Sequence, residues 1–278
     1  IFLAAANSIS KLKKKNYSNY NLDNYYLADE SMYYLRNLNK YSLRKQKNIF
    51  SFKNDSKNFS PQFNLENDKK KVLIIGDSHS KDIFNLFKTN EKNYENYEFA
   101  RYGINLIDLD NYRKKNLILS HNFKNADYIL LSQRYKKKDL NNLEKIIKLA
   151  EKNEKKLVVF LKRPEFSSNN KKNQTNLDLF FLNNEKIVTK KSMDNFLFDQ
   201  LKTKSFVPIN EEIKKMYKDK VILYDLYSIF CNSIEKSCQS IDDKGKKIFY
   251  DYGHLTLDGS RYIGNILFDS KFHKKYLN

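Results

Sequence analysis

The stretch Lys71–Ser80, KVLIIGDSHS, constrains this chain more than any other. Val72, Leu73, Ile74 and Ile75 form a continuous apolar run that stops at Gly76. A short run bounded this way predicts a buried strand, and the amphipathic segment through Phe87 predicts a helix behind it. Ser78 then stands on the turn between the carboxyl end of a strand and the first turn of a helix. In open α/β sheets ligands bind along that edge. The exposed amide groups of a helix start also favour developing negative charge. A serine there is well placed as a nucleophile. The plainer reading is that Asp77, Ser78 or Ser80 only caps the helix, and this stretch alone does not choose between them.

Further along, Tyr97–Arg101 predicts a second strand, ending at Tyr102 and Gly103, after a loop over Thr89–Asn96. The freedom of a glycine backbone and a place beside Ser78 make the Gly103 amide a candidate oxyanion donor. Asp127–Gln133, Lys156–Leu161 and Lys220–Asp225 predict three more strands, the fourth in order closed by Arg163 and Pro164. Between them, Asn111–His121, Lys138–Glu154, Leu177–Val188, Ser192–Lys202 and Pro208–Tyr217 read as helices, and Asp258–Phe268 closes the chain. The clearest stripe, at positions 140, 143, 146, 147 and 150, has helical spacing. Residues 165–175 read as a polar loop, and Gly245 to Tyr250 as a small hairpin or arm. Strands alternating with helices predict an α/β fold, a mostly parallel five-stranded sheet flanked by helices.

Residues 1–69 show no sustained period and read as a linker or extension before a domain spanning 70–278. Within it, Ser31–Leu43 allows a helix or a strand pair, and Asn48–Asp68 reads as an extended surface connector. Ile1–Ile9 is apolar but too short to cross a bilayer, and lysines follow it, the reverse of a secretory leader. The stretch reads as the stub of a membrane helix, as mature sequence behind a removed leader or as an ordinary packed segment. That order, together with the absent initiator Met, predicts a chain that begins inside a longer one. The net charge of +19 would suit nucleic acid or an anionic surface. The lysines, however, are scattered along the whole sequence, so no nucleic-acid partner is expected. Cys231 and Cys238 are the two cysteines, able to close a small disulfide loop or to remain buried thiols. Four histidines without clustered partners give no expected metal site. Of these, His121 and His273 read as surface residues, while His79 either touches substrate or packs against the neighbouring strand.

The second informative stretch is Asp251-Tyr-Gly-His254-Leu-Thr, just ahead of the closing helix. An imidazole beside a carboxylate is held in one tautomer and stabilised once protonated. Reaching Ser78, it would take the hydroxyl proton during attack and return it to the leaving group. A lone D-x-x-H is common. Its pairing with a strand-end GDS far upstream is not.

GDSHS at 76–80 and DYGHLT at 251–256, with Gly259 completing the pattern, resemble the first and last sequence blocks of the SGNH/GDSL hydrolase superfamily. They resemble more narrowly the extracytoplasmic SGNH domain at the C-terminus of bacterial membrane-bound O-acyltransferases of acyltransferase family 3. LSQRY (131–135) and VVFLKRPEF (158–166) match further landmarks, and the likeness covers about residues 70–270. It implies an SGNH hydrolase-like, flavodoxin-like three-layer fold. It also implies Ser78 as nucleophile, His254 as base and Asp251 as its acid, with oxyanion donors from the Ser78 and Gly103 amides. The superfamily's usual asparagine donor has no counterpart here, which leaves Gln133 or Arg134 for that place. Cys231 and Cys238 sit like a pair often found before the catalytic loop.

The implied activity is O-acyl transfer to, or ester hydrolysis on, extracytoplasmic cell-surface sugars. No cofactor is implied in this domain: the acyl group would originate from acyl-CoA and arrive through a membrane acyltransferase domain, in cis or in trans. The implied location is the periplasmic side of the inner membrane, attached through N-terminal helices outside this sequence. A free secreted carbohydrate esterase and a non-catalytic sugar-binding domain of the same fold are the alternatives.

Overall fold

Val72–Ile75 are fully buried in the middle of strand β1, Lys70–Gly76. Burying side chains of this size contributes roughly 1.5–3 kcal/mol each, enough to set β1 inside the sheet. The structure is a computed structural model that describes residues 62–106, 111–167, 175–184, 189–249 and 251–277. The expectations for the linker before residue 62, for most of the 165–175 loop and for the end of the 177–188 helix lie outside the described residues. The described chain forms two compact units. The larger holds the residues up to Pro164, Thr203–Ile229 and those from Ser260 onward; the smaller holds Glu165–Lys202 and Phe230–Gly259.

In the larger unit β1 lies between β2 (Tyr97–Gly103) and β3 (Tyr128–Ser132), followed outward by β4 (Lys156–Phe160) and β5 (Ile222–Tyr224). All four pairings are parallel. Such a sheet needs crossover connections and is covered on both faces. One face carries Leu73, Ile75, Ala100, Ile129, Leu131, Leu157 and Val159, packed with Leu117, Leu143, Ile146 and Ile213 from the covering helices. Those helices are α2 (Asn111–Leu119), α3 (His121–Asn125), α4 (Leu140–Lys152) and α7 (Thr203–Tyr217). The opposite face takes α1 (Ser78–Lys88), whose Phe87 ring stacks on Phe99 at 4.4 Å, and α10 (Phe272–Tyr276), whose Phe272 stacks on Phe160 at 5.5 Å. This is the three-layer α/β architecture with a five-stranded parallel sheet.

The smaller unit is built from α5 (Asn176–Asn183), α6 (Lys190–Asp199) and irregular chain tied by bridges. Phe166 pairs with Leu201, Ile241 with Lys247, and Phe249 with Leu255. Its ring cluster joins Phe166, Phe230 and Phe249. A two-strand hairpin, β6 (Cys231–Asn232) and β7 (Ser237–Cys238), closes with a disulfide between Cys231 and Cys238, Cα atoms 4.0 Å apart. The Asp194 carboxylate on α6 accepts from the Ser240 amide at 2.9 Å and from Lys190 Nζ at 3.1 Å, fixing α6 against the chain that leaves the hairpin.

Four local expectations need correction. Helix α7 begins at Thr203 rather than Pro208 and carries the proline inside. Proline favours a first turn, but buried Phe206 and Ile209 draw the earlier turn into the fold, and Lys162 Nζ donates to the Ser205 carbonyl at 2.8 Å. The helix expected over 111–121 breaks at Ser120, whose Oγ accepts from Phe123 N at 3.2 Å and caps α3. The 89–96 loop contains a single 3-10 turn, Glu91–Tyr94, because Tyr94 buries its ring against Phe87. His273 is not a surface residue: it is 8% exposed and stacks on Phe268 at 4.7 Å. His121 is half-buried, 3.2 Å from the Phe63 carbonyl.

Candidate active site

The turn from β1 into α1 is tightly determined. Gly76 has φ +136, and a Cβ there would lie 1.8 Å from the Ser132 carbonyl oxygen. Only glycine takes this backbone conformation without strain, and only glycine leaves room for the Ser132 carbonyl at the end of β3. Asp77 is the N-cap of α1: Oδ1 accepts from the His79 amide at 2.9 Å and Oδ2 from the Arg134 amide at 3.1 Å. The aspartate of the GDS motif is therefore the cap, joining the helix start to the end of β3. Ser78 is the first residue of α1 and is part-exposed at the sheet's carboxyl edge.

Gly103 pairs with Gly76 at the same edge. Gln133 is buried, and its carboxamide holds the neighbouring loop: Oε1 accepts from Leu106 N at 2.9 Å, and Nε2 donates to Asn105 Oδ1 and Asp139 Oδ2 at 3.3 Å each. Arg134 is half-buried beside it, while Tyr135 turns into the core at 1% exposure. Burial and the nearby Asp77 and Asp139 carboxylates push the Tyr135 hydroxyl's pKa well above its ordinary value. His79 is 1% exposed.

Asp251 and His254 belong to the smaller unit, and the structure brings them together. His254 Nδ1 lies 2.8 Å from Asp251 Oδ2. The other carboxylate oxygen accepts from the amides of Gly253 at 2.9 Å and His254 at 2.7 Å. Burial opposes the charge on Asp251, but the imidazole and these amides outweigh it and hold its carboxyl below the usual aspartate pKa. With Nδ1 facing the carboxylate, Nε2 is the nitrogen suited to exchange a proton with a substrate-side group. The loop itself is anchored on both sides. Phe166 N donates to the Tyr252 carbonyl at 2.8 Å, and Thr256 Oγ1 accepts from Gly259 N at 2.8 Å. The Tyr252 ring meets the imidazole edge-on at 5.5 Å. Gly259 is required by close approach, since a Cβ would lie 2.2 Å from the Ile248 carbonyl.

Sequence reasoning missed two buried arginines around α1. Arg101 on β2 donates from Nε to Ser80 Oγ at 2.9 Å and from Nη2 to the Asp77 carbonyl at 3.1 Å. Arg163, just past β4, pairs with Asp82 on α1. An arginine in phase with Phe99 inside the predicted strand YEFARYG was the available signal for the first. Nothing local announced the second. Among the described residues no group of three or more His, Cys, Asp or Glu is set to hold a metal ion, and no helix is long and apolar enough to cross a membrane.

Comparison with known proteins adds to this geometry. A structure of the lipopolysaccharide acetyltransferase periplasmic domain of Salmonella ser. Paratyphi A is similar in fold, with a TM-score of 0.57 at 16% identity over 76% of this chain and 90% of that one. A GDSL-like lipase of Bacteroides thetaiotaomicron aligns with a TM-score of 0.45 at 11% identity, covering 80% of this chain and 94% of that one. A putative acylhydrolase of Bacteroides fragilis aligns with a TM-score of 0.42 at 12% identity, covering 86% and 98%. The search of curated proteins gives no match. The family described as "SGNH domain (fused to AT3 domains)" matches residues 50–269, from ahead of the GDS turn to the closing helix. The chain therefore belongs to this SGNH domain family, and with it to the SGNH/GDSL hydrolase superfamily.

Proposed function

We propose that this chain is a serine-dependent acyl-transfer domain acting on O-acyl groups of extracytoplasmic sugars, with Ser78 as nucleophile, His254 as general base and acid, and Asp251 as its partner. The observation that carries the proposal is the Asp251–His254 pair, 2.8 Å apart on a loop anchored at both ends. In the first half-reaction Ser78 Oγ attacks the donor's carbonyl carbon while His254 Nε2 takes the hydroxyl proton. The Ser78 and Gly103 amides bear the oxyanion, helped by the positive end of α1. Gln133, whose N–H groups go to Asn105 and Asp139, and Arg134 beside it are the candidates for the third donor. Collapse expels the leaving group, which takes the proton from His254 and leaves an acyl-serine. In the second half-reaction a sugar hydroxyl gives its proton to His254 and attacks the acyl carbon, releasing the acylated sugar and regenerating Ser78.

Placement outside the cytoplasm is supported by the Cys231–Cys238 disulfide, since such bonds persist in oxidising compartments. The family's fusion to AT3 domains supports a membrane acyltransferase domain as partner; that this partner delivers an acyl-CoA-derived group is part of the proposal. The similar Salmonella structure is of a lipopolysaccharide acetyltransferase periplasmic domain, which supports a surface carbohydrate as acceptor. Water in place of the sugar would make the same steps an esterase.

The test is labelling of the folded protein by a fluorophosphonate, with mapping of the modified residue. Ser78 is expected to carry the label, Ser78→Ala to abolish it, and His254→Ala to slow it by on the order of 10³-fold or more. A folded wild-type chain that stays unlabelled overturns the assignment.

A further inference from the structure

Two buried guanidinium groups reach helix α1 from the two sides of β1 in the sheet order, one from β2 and one from the end of β4. Neither takes part in the acyl chemistry above. Arg101 is 4% exposed and lies on the face of β2 that carries Phe99, under α1. Its fork spans Ser80 Oγ and the Asp77 carbonyl. Ser80 Oγ is in turn 3.0 Å from the Gly76 carbonyl and 2.7 Å from that of Asp77, so three residues of the turn, Gly76, Asp77 and Ser80, are tied directly or through one hydroxyl to one side chain. Arg163, 2% exposed, holds Asp82, one helical turn beyond Ser78 and 3% exposed. The chain behind Arg163 is itself fixed. Asn210 Oδ1 accepts from Lys162 N at 2.9 Å, and Asn210 Nδ2 donates to Lys162 O at 2.7 Å.

Stability alone is a poor reason for this arrangement. A buried ion pair rarely outperforms two well-packed apolar side chains of the same volume. Arg163 also keeps Nε and Nη1 buried without an acceptor among the described residues, which costs further free energy. The apolar contacts of α1 through Ile83, Leu86 and Phe87 hold the helix on the sheet but are non-directional. Planar guanidinium forks are directional. They fix what apolar packing leaves loose, the rotation of α1 about its axis and its slide along it.

We propose that Arg101 and Arg163 are positioning residues that clamp the first two turns of α1 from opposite flanks and thereby set the aim of Ser78 Oγ. This rests on Ser78 being the nucleophile. A reacting atom displaced by about 1 Å costs on the order of 10²-fold in rate, so a small rotation of α1 is enough to matter.

The experiment compares wild type with Arg101→Lys, which keeps the charge but not the fork, and with the double variant R163M/D82L, which replaces the ion pair by apolar groups. Two readings are taken: the saturation kinetics of fluorophosphonate labelling, and amide hydrogen exchange over residues 78–82. Each variant is expected to melt close to wild type, to lose at least about 10-fold in the limiting labelling rate, to keep half-saturation within about 2-fold, and to exchange faster at 78–82. A full limiting rate in both variants overturns the proposal, as does a loss confined to half-saturation. If the wild type itself is not labelled, the nucleophile assignment fails and hydrogen exchange decides alone: unchanged protection at 78–82 overturns the clamp, and lost protection upholds it.

Discussion

At the scale of single residues, the same side-chain types serve opposite ends. Asp77 spends its carboxylate on two amides and is a cap; Asp251 spends one oxygen on two amides and the other on an imidazole. That difference gives Asp251 a pH signature. Its folded-state pKa is depressed, so between the folded value and the ordinary one near 4 the unfolded chain binds more protons. The stabilisation is fully present above the ordinary value and is lost as pH falls through the folded one. Asp251→Asn is expected to be less stable than wild type at pH 7, the two urea-denaturation midpoints converging on the acid side of pH 4. Parallel curves across that range would refute the assigned charge state. The pairing of Asp251 with His254 and the place of Ser78 at the start of α1 were readable because motif and spacing survive in a linear string. The cap role of Asp77 was readable only as one option among three, since its second partner, the Arg134 amide, is remote in sequence.

At the scale of elements, the strands and helices follow from hydrophobic period, and the misreadings occur where one contact overrode a local rule. Pro208 marked a start that α7 does not use, and Ser120 split a helix that periodicity read as continuous. The joint between β4 and α7 gives the sharpest prediction here. Asn210→Ala removes the two hydrogen bonds that Asn210 makes to the Lys162 amide and carbonyl in a buried setting. Losing such a bond in a buried setting costs about 1–3 kcal/mol, so the variant is expected to lose roughly 2–6 kcal/mol by urea denaturation. A loss below about 0.5 kcal/mol would show that Asn210 does not hold this joint.

At the scale of the whole molecule, the formal charge of +19 acts on every part of the fold at once. Like-charge repulsion destabilises a compact chain and is screened by salt, with a Debye length of about 10 Å at 0.1 M. The melting temperature is therefore expected to rise by a few degrees between roughly 10 mM and 0.3 M sodium chloride. A flat or falling temperature would mean that local ion pairs, such as Lys71–Glu98 at 2.8 Å, outweigh the general repulsion. The scattered lysines made this bulk property plain from composition, as they made a focused nucleic-acid groove an unneeded explanation.

What the linear chain determined by itself was whatever depends on near neighbours. The apolar runs dictate strands, the stripe from 140 to 150 dictates a helix, and the GDS and D-x-x-H blocks name the family and its chemistry. What only the tertiary structure decided was which remote groups meet. The strand order, the Cβ clash that demands Gly76, the burial of His273, and the two guanidinium groups holding α1 all come from residues far apart in the chain. The physical reason is that periodicity and turn chemistry act within a few residues. Hydrogen bonds and close packing across the sheet exist only once the chain has folded.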